Sequence, residues 1–166
     1  MKVKLTNIEE RLSVFMGESR FRAARKSGVA NEKIGPQSNS ETDIESMGAE
    51  IAFCKAYNLY PDLQLDERPI VDATFPNGMT VDVKQTKLAN GRLLVRPTKK
   101  EKRCDVYVLV TGVLPEYFIV GGYAHDMLFD DANIVDLGYG PTYGVTQDRL
   151  WNIDNLIWRF DGGKHD

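Results

Sequence analysis

Cysteine and histidine are scarce, with two of each in 166 residues. Cys54 and Cys104 lie far apart and form no CxxC pattern, so neither a disulfide framework nor a zinc cluster is expected. Both read as small buried apolar residues, and a reducing cytoplasm is the simplest setting. His125 and His165 have no cysteine, histidine or acid at metal-site spacing. Long apolar runs are also missing: none approaches the ~18 residues of a membrane span. The opening MKVKLTNIEERLS has no apolar stretch after its lysines and does not read as a secretory signal. There is no serine nucleophile elbow, no GxGxxG and no GxxxxGK[ST], which removes the commonest hydrolase and nucleotide-binding signatures. GYGPTYG, residues 138 to 144, is glycine-rich but has no phosphate-binding lysine, and it reads as a loop. Internal repeats and low-complexity segments are absent.

An apolar content of 42% is ordinary for a globular protein, and the length suits one domain with a sizeable core. The chain divides into a helical, basic region and loop (1–40), a core (41–124) and a C-terminal extension (125–166). Net charge is −3, but it is unevenly spread. Residues 84 to 103 hold eight bases and one acid, whereas residues 105 to 166 hold ten acids and three bases. A local basic stripe can serve a polyanion even when the total charge is negative, although a solvated face is the plain alternative.

Thr6 and Glu9 have the spacing of a capping box, and Leu5, Ile8, Leu12 and Phe15 follow as the apolar stripe of a helix. The basic stretch RFRAARKSG, with Arg20, Arg22 and Arg25, continues that helix or starts another after Gly17. A second helix starts near Ser40 with Ile44, Met47, Ile51 and Cys54 on its buried stripe, and it ends before Pro61. Glu50 sits at the edge of that stripe. Strands are predicted at about 69–75, 79–86 and 92–95, with two long central ones in DVYVLVTGV and EYFIVGGY. A short helix is predicted near residues 125–129 and another near 146–151, with LIWRF as a last strand or helical turn. The order points to an α/β or α+β domain around a central mixed sheet flanked by helices.

Most of the chemistry-bearing residues stand in or beside VDATFPNGMTVDVKQTK, residues 71 to 87. Pro76 and Asn77 suit the first two positions of a turn, and Gly78 suits the left-handed position that closes a three-residue hairpin loop. That register puts Thr74 opposite Thr80 and Asp72 opposite Asp82. Lys84 lies on the same face, opposite Ile70. Val71, Ala73, Phe75, Met79, Val81 and Val83 form the other, core face. A two-residue loop at Asn77-Gly78 would instead split the two aspartates between faces and mix apolar with polar residues on both. Paired cross-strand carboxylates repel, so solvent, a proton, a cation or Lys84 must offset them.

Glu50 on a helix, Asp72 on a strand and Asp82-Val83-Lys84 on the next resemble the PD-(D/E)xK nucleases, a superfamily with many restriction endonucleases, phage exonucleases and Holliday-junction resolvases. The resemblance covers residues 41 to 124. Val71 stands where the family name has proline. Only PTKKEKR, residues 97 to 103, stands where the family carries a helix between its third and fourth core strands. The resemblance implies a restriction-endonuclease-like α/β fold and metal-dependent hydrolysis of DNA phosphodiesters. Asp72 and Asp82 would hold Mg²⁺ or Mn²⁺, with the Val83 carbonyl as an extra ligand and Glu50 on the ion or its water. Lys84 would orient the attacking water or stabilise the phosphate charge. Lys87, Arg92, Arg96, Lys99, Lys100 and Lys102 would grip the DNA backbone, with Arg20, Arg22 and Arg25 as further candidates. Gln85 and Thr86 would assist Lys84 only if the strand bulges. A homodimer would suit double-strand cutting, and RNA stays open as a substrate. A non-catalytic DNA-binding module on the same fold is the alternative.

Overall fold

The computed structural model describes residues 1–26, 39–65, 71–101, 104–138 and 140–162. Helix α1 (Asn7–Lys26) begins at the expected cap: Thr6 N–H donates to Glu9 Oε2 at 2.6 Å, and Glu9 N–H reaches back to Thr6 Oγ1 at 3.4 Å. It runs through Gly17 without a break. Its packed face departs from the expected stripe. Ile8 and Phe15 are 78% and 61% exposed, while Ser13, Met16 and Gly17 are buried. Gly17 sets that rotation. A Cβ there would lie 2.6 Å from Ile44 Cα, so only glycine lets α1 press onto helix α2 (Asn39–Ala56) at this point.

Helix α2 is buried on every side from Met47 to Cys54, being held between α1 and a sheet. The small residues Gly48, Ala49 and Ala52 permit the close approach. Tyr117 lies over Gly48 and donates its hydroxyl to Glu45 Oε2 at 2.8 Å.

The strands form two sheets. The larger has the order β1-β6-β5-β3-β2, with β1 (Lys2–Lys4), β2 (Ala73–Thr74), β3 (Thr80–Thr86), β5 (Val106–Val113) and β6 (Glu116–Ala124). Its neighbours are antiparallel except β3 and β5, which run parallel. The molecule is thus mixed α/β, with four α-helices among the described residues. A parallel pair needs a crossover, and this one carries β4 (Leu93–Val95) and the 3₁₀ turn Pro97–Lys99 rather than an α-helix. Strand β4 joins β8 (Pro141–Val145) and β7 (Ile134–Asp136) in the smaller sheet, order β4-β8-β7. Residues 141 to 144, expected as loop, are therefore strand. Their pairing with β4 across some fifty residues supplies what local composition does not show.

The two sheets explain why β5 is buried along nearly its whole length. Val106, Val108 and Val110 face α2 in one core cluster, and Tyr107 and Leu109 face β4 and β8 in another. The predicted helix near 146–151 is a 3₁₀ turn, Gln147–Arg149, and LIWRF belongs to α4 (Ile153–Phe160). The short helix after β6 is α3 (His125–Leu128). Cys54 and Cys104 are both buried, as expected.

Gly17→Ala lowers stability by about 1–3 kcal/mol in urea unfolding, despite alanine's better helix propensity. A midpoint that stays put or rises contradicts the close packing of α1 on α2.

Candidate active site

The turn at residues 76–78 sets the hairpin register as expected. Gly78 has φ +89°, its N–H donates to Phe75 O at 2.9 Å, and Phe75 N–H donates to Met79 O at 2.8 Å. Thr74 then pairs with Thr80 and Ala73 with Val81. Within the described residues the first strand is only β2, Ala73–Thr74, shorter than the predicted 69–75, and Ile70 lies outside them. The regular ladder stops because the chain bends at Asp72. The Asp72 N–H bonds Val81 O at 2.8 Å, the residue already paired with Ala73. Alternation slips with it: Ala73 belongs to the core cluster under α2, whereas Val71 packs on the opposite cluster. Val71 is thus not on the face expected for it.

The bend brings Asp72 over β3, where Oδ2 accepts the Val83 N–H at 2.6 Å. Val83 thus meets Asp72 through its amide N–H. Asp82 is 3% exposed. Its Oδ1 accepts a hydrogen bond from Lys84, and its Oδ2 accepts one from Lys99 at 3.2 Å. Lys84 also stands over the Tyr107 ring, 5.9 Å from its centroid. Glu50, 6% exposed on the middle of α2, accepts from Arg20 at 2.7 Å. Arg20 completes its fork on the Asp62 carbonyl at 2.9 Å.

The carboxyl groups act on one another electrostatically. Burial pushes Glu50 up to about 8, with the Asp72 charge adding to it against the pull of Arg20 and Lys84. Burial likewise pushes Asp72 up to about 6, with Asp82 adding to it. Burial disfavours the Lys84 ammonium, but Asp82 and Asp72 outweigh it and raise its pKa. Arg20 behaves alike: Glu50 and Asp72 override its desolvation. Glu50, Asp72, Asp82 and Lys84, spread over residues 50 to 84, thus share one electrostatic cluster. Thiol chemistry finds no footing beside it, since burial pushes Cys104 up to about 12.

The basic stripe is divided. Lys87, Arg92 and Lys100 are exposed and Arg96 is half-buried, while Lys99 is drawn into the cluster. Lys102 and Arg103 lie outside the described residues, as does His165. Gln85 points away from Lys84 and donates to Gly112 O at 2.7 Å; Thr86 Oγ1 accepts from Leu88 N–H at 3.3 Å. His125 packs in an aromatic stack with Tyr107 and Phe129.

Two members of the cluster were not singled out by sequence. Arg20 was grouped with its basic neighbours. Yet Ser13, Met16, Gly17 and Arg20 share one helical face once Gly17 is taken as the contact point. Lys99 carried no distinguishing signal within its stripe.

The donor chemistry suits a hard divalent cation: the buried Asp82 and Glu50 carboxylates and the half-buried Asp72 carboxylate are oxygen ligands that feel one another's charge. Among the described residues no three ligating side chains converge on one point. Ammonium and guanidinium groups hold the carboxylates instead, so an ion would take over charge that these cations now balance. No family model matches the chain, and no curated protein matches it.

An acid whose pKa is raised by folding binds its proton more tightly in the folded state. Its contribution to stability is then present below the unfolded pKa and lost as pH rises through the folded one. For Asp72 and Glu50 that window runs from their ordinary values near 4 up to about 6 and about 8. In EDTA, the thermal midpoint falls between pH 5 and roughly pH 8.5. Glu50→Gln flattens the upper part of the fall, gaining on the wild type as pH rises. A variant that shifts the midpoint equally at every pH contradicts this origin.

Proposed function

We propose that the chain is a metal-dependent DNA nuclease of the PD-(D/E)xK type, on a restriction-endonuclease-like fold. The observation that carries this reading is the cluster of Glu50, Asp72, Asp82 and Lys84, with Glu50 and Asp82 buried and Asp72 and Lys84 half-buried, brought from a helix and both arms of a hairpin into mutual electrostatic reach. Drawing three acids away from water together is costly unless positive charge offsets them, and structural needs alone give little reason for it.

In this reading Asp72 and Asp82 hold Mg²⁺ or Mn²⁺, with Glu50 and the Val83 carbonyl as further ligands. The ion, when bound, supplies Lewis-acid polarisation of a phosphate oxygen and a lowered pKa for water. Lys84, fixed by its neighbours, orients the attacking water or neutralises charge growing on the phosphate. Arg20 keeps the Glu50 carboxylate aimed inward. Exposed Lys87, Arg92 and Lys100, with Arg96 and Lys102, hold the DNA backbone by phosphate contacts that weaken with salt. A cytoplasmic setting and a homodimer that cuts both strands accord with this use.

A non-catalytic DNA-binding module is the second reading. It is favoured by one observation, that lysines occupy both oxygens of Asp82.

Supercoiled, linear and branched DNA, with RNA in parallel, are incubated with the protein in Mg²⁺, Mn²⁺ or EDTA. Cleavage is expected with metal and not with EDTA. Asp82→Asn and Lys84→Ala each lower the rate by about a hundredfold or more, with nucleic-acid binding largely kept. Binding without cleavage under both metals supports the second reading and overturns the first.

A further inference from the structure

We propose that Lys99 is a second lysine of the reaction centre: it holds Asp82 closed in the absence of metal and yields that carboxylate to the divalent ion, turning its own ammonium to the substrate phosphate. This rests on the nuclease reading above.

Three observations lead there. The first is position. Lys99 enters from a separate element, yet its ammonium lies on the Asp82 oxygen that Lys84 does not take. The placement is built in. Pro97 opens the 3₁₀ turn, Lys99 N–H donates to Arg96 O at 3.0 Å, and Lys100 N–H donates to Pro97 O at 3.0 Å. The strand before the turn is pinned by the smaller sheet, where Val95 pairs with Tyr143 and its carbonyl accepts from Thr142 Oγ1 at 2.9 Å. The crossover thus sets Lys99 over Asp82 and leaves the next residue, Lys100, exposed.

The second is charge. The three acids Glu50, Asp72 and Asp82 face three cations, Arg20, Lys84 and Lys99, so the cluster carries no net negative charge before an ion binds. A divalent ion adds two positive charges, and a phosphodiester arriving with it brings negative charge. A cation that leaves Asp82 for the phosphate keeps the buried cluster close to neutral, which low-dielectric surroundings demand.

The third decides which lysine moves. Lys84 is on the same strand as Asp82, two residues on, and is also attracted by Asp72 and Glu50. Lys99 and Lys84 are about equally exposed, at 29% and 27%, but Lys99 comes from a separate turn and makes the longer contact to Asp82, 3.2 Å. An ion bound to the same oxygen at the ~2.1 Å typical of Mg²⁺ would compete for its lone pairs and repel an ammonium 3.2 Å away.

Two readouts test this, with Thr98→Ala, an exposed neighbour in the same turn, as the control. Calorimetric titration of the DNA-free protein with Mn²⁺ is expected to show about tenfold tighter binding in Lys99→Ala, since no charge-assisted hydrogen bond has to be broken; Thr98→Ala matches the wild type. In single-turnover cleavage at saturating DNA, Lys99→Ala slows the reaction by about tenfold or more, whereas Thr98→Ala leaves that rate intact. Lys99→Met, which keeps the stem, behaves as Lys99→Ala and separates charge from packing. Unchanged Mn²⁺ affinity in both Lys99 variants, or no Mn²⁺ binding by any of the proteins, overturns the proposal. So does a Lys99 effect on DNA affinity alone. If the wild type cuts nothing while Lys99→Ala still tightens Mn²⁺ binding, the nuclease reading fails and the hold of Lys99 on Asp82 stands.

Discussion

Three carboxylates drawn together against a sheet, Glu50 and Asp82 buried and Asp72 half-buried, are the constraint from which the rest of the arrangement follows. A lone buried carboxylate costs several kcal/mol or takes up a proton, and here each acid makes its neighbour's position worse. Asp72 raises Glu50, and Asp82 raises Asp72. The chain meets that cost with positive groups from three places. Arg20 comes from α1, Lys84 from β3 and Lys99 from the crossover between β3 and β5.

Each donor has its own piece of architecture. Arg20 reaches Glu50 because α1 lies tightly on α2, and that approach depends on Gly17 having no side chain to strike Ile44. Lys99 reaches Asp82 because the connection between two parallel strands is held over the sheet by pairing with β8. Lys84 needs no such help, being two residues along the same strand. The smaller sheet, which contributes no acid to the cluster, thereby fixes one of its three cations. It also closes the second core cluster around Tyr107, whose ring lies beneath Lys84.

The hairpin was legible in sequence because turn chemistry is local. Pro76, Asn77 and Gly78 set the loop length, and loop length set which residues pair. The slip at Asp72 was not legible. Strict alternation puts Val71 and Ala73 on one face, and only the bend that carries Asp72 to the Val83 amide separates them. The stripe of α1 failed for a related reason: Ile8 and Phe15 have the apolar character of core residues, but the close contact at Gly17 decides which face turns inward. Arg20 and Lys99 were hidden because their partners are 30 and 17 positions away in the chain, and composition shows only that both lie in basic stretches. Strand β8 was missed since a Gly-Pro-rich segment gains its strand character from the partners it pairs with, and β7, three residues long, pairs only with β8.

In the reading proposed above, the cations on Asp82 stand in for a divalent ion that Asp72 and Asp82 would share. Crystals grown with Mn²⁺ and recorded at a wavelength where manganese scatters anomalously test it directly. The account predicts one anomalous peak within coordination distance of both Asp72 and Asp82, with Lys99 no longer on the Asp82 oxygen. An Asp82 carboxylate still bonded to both lysines at saturating Mn²⁺, with no peak beside it, would contradict it.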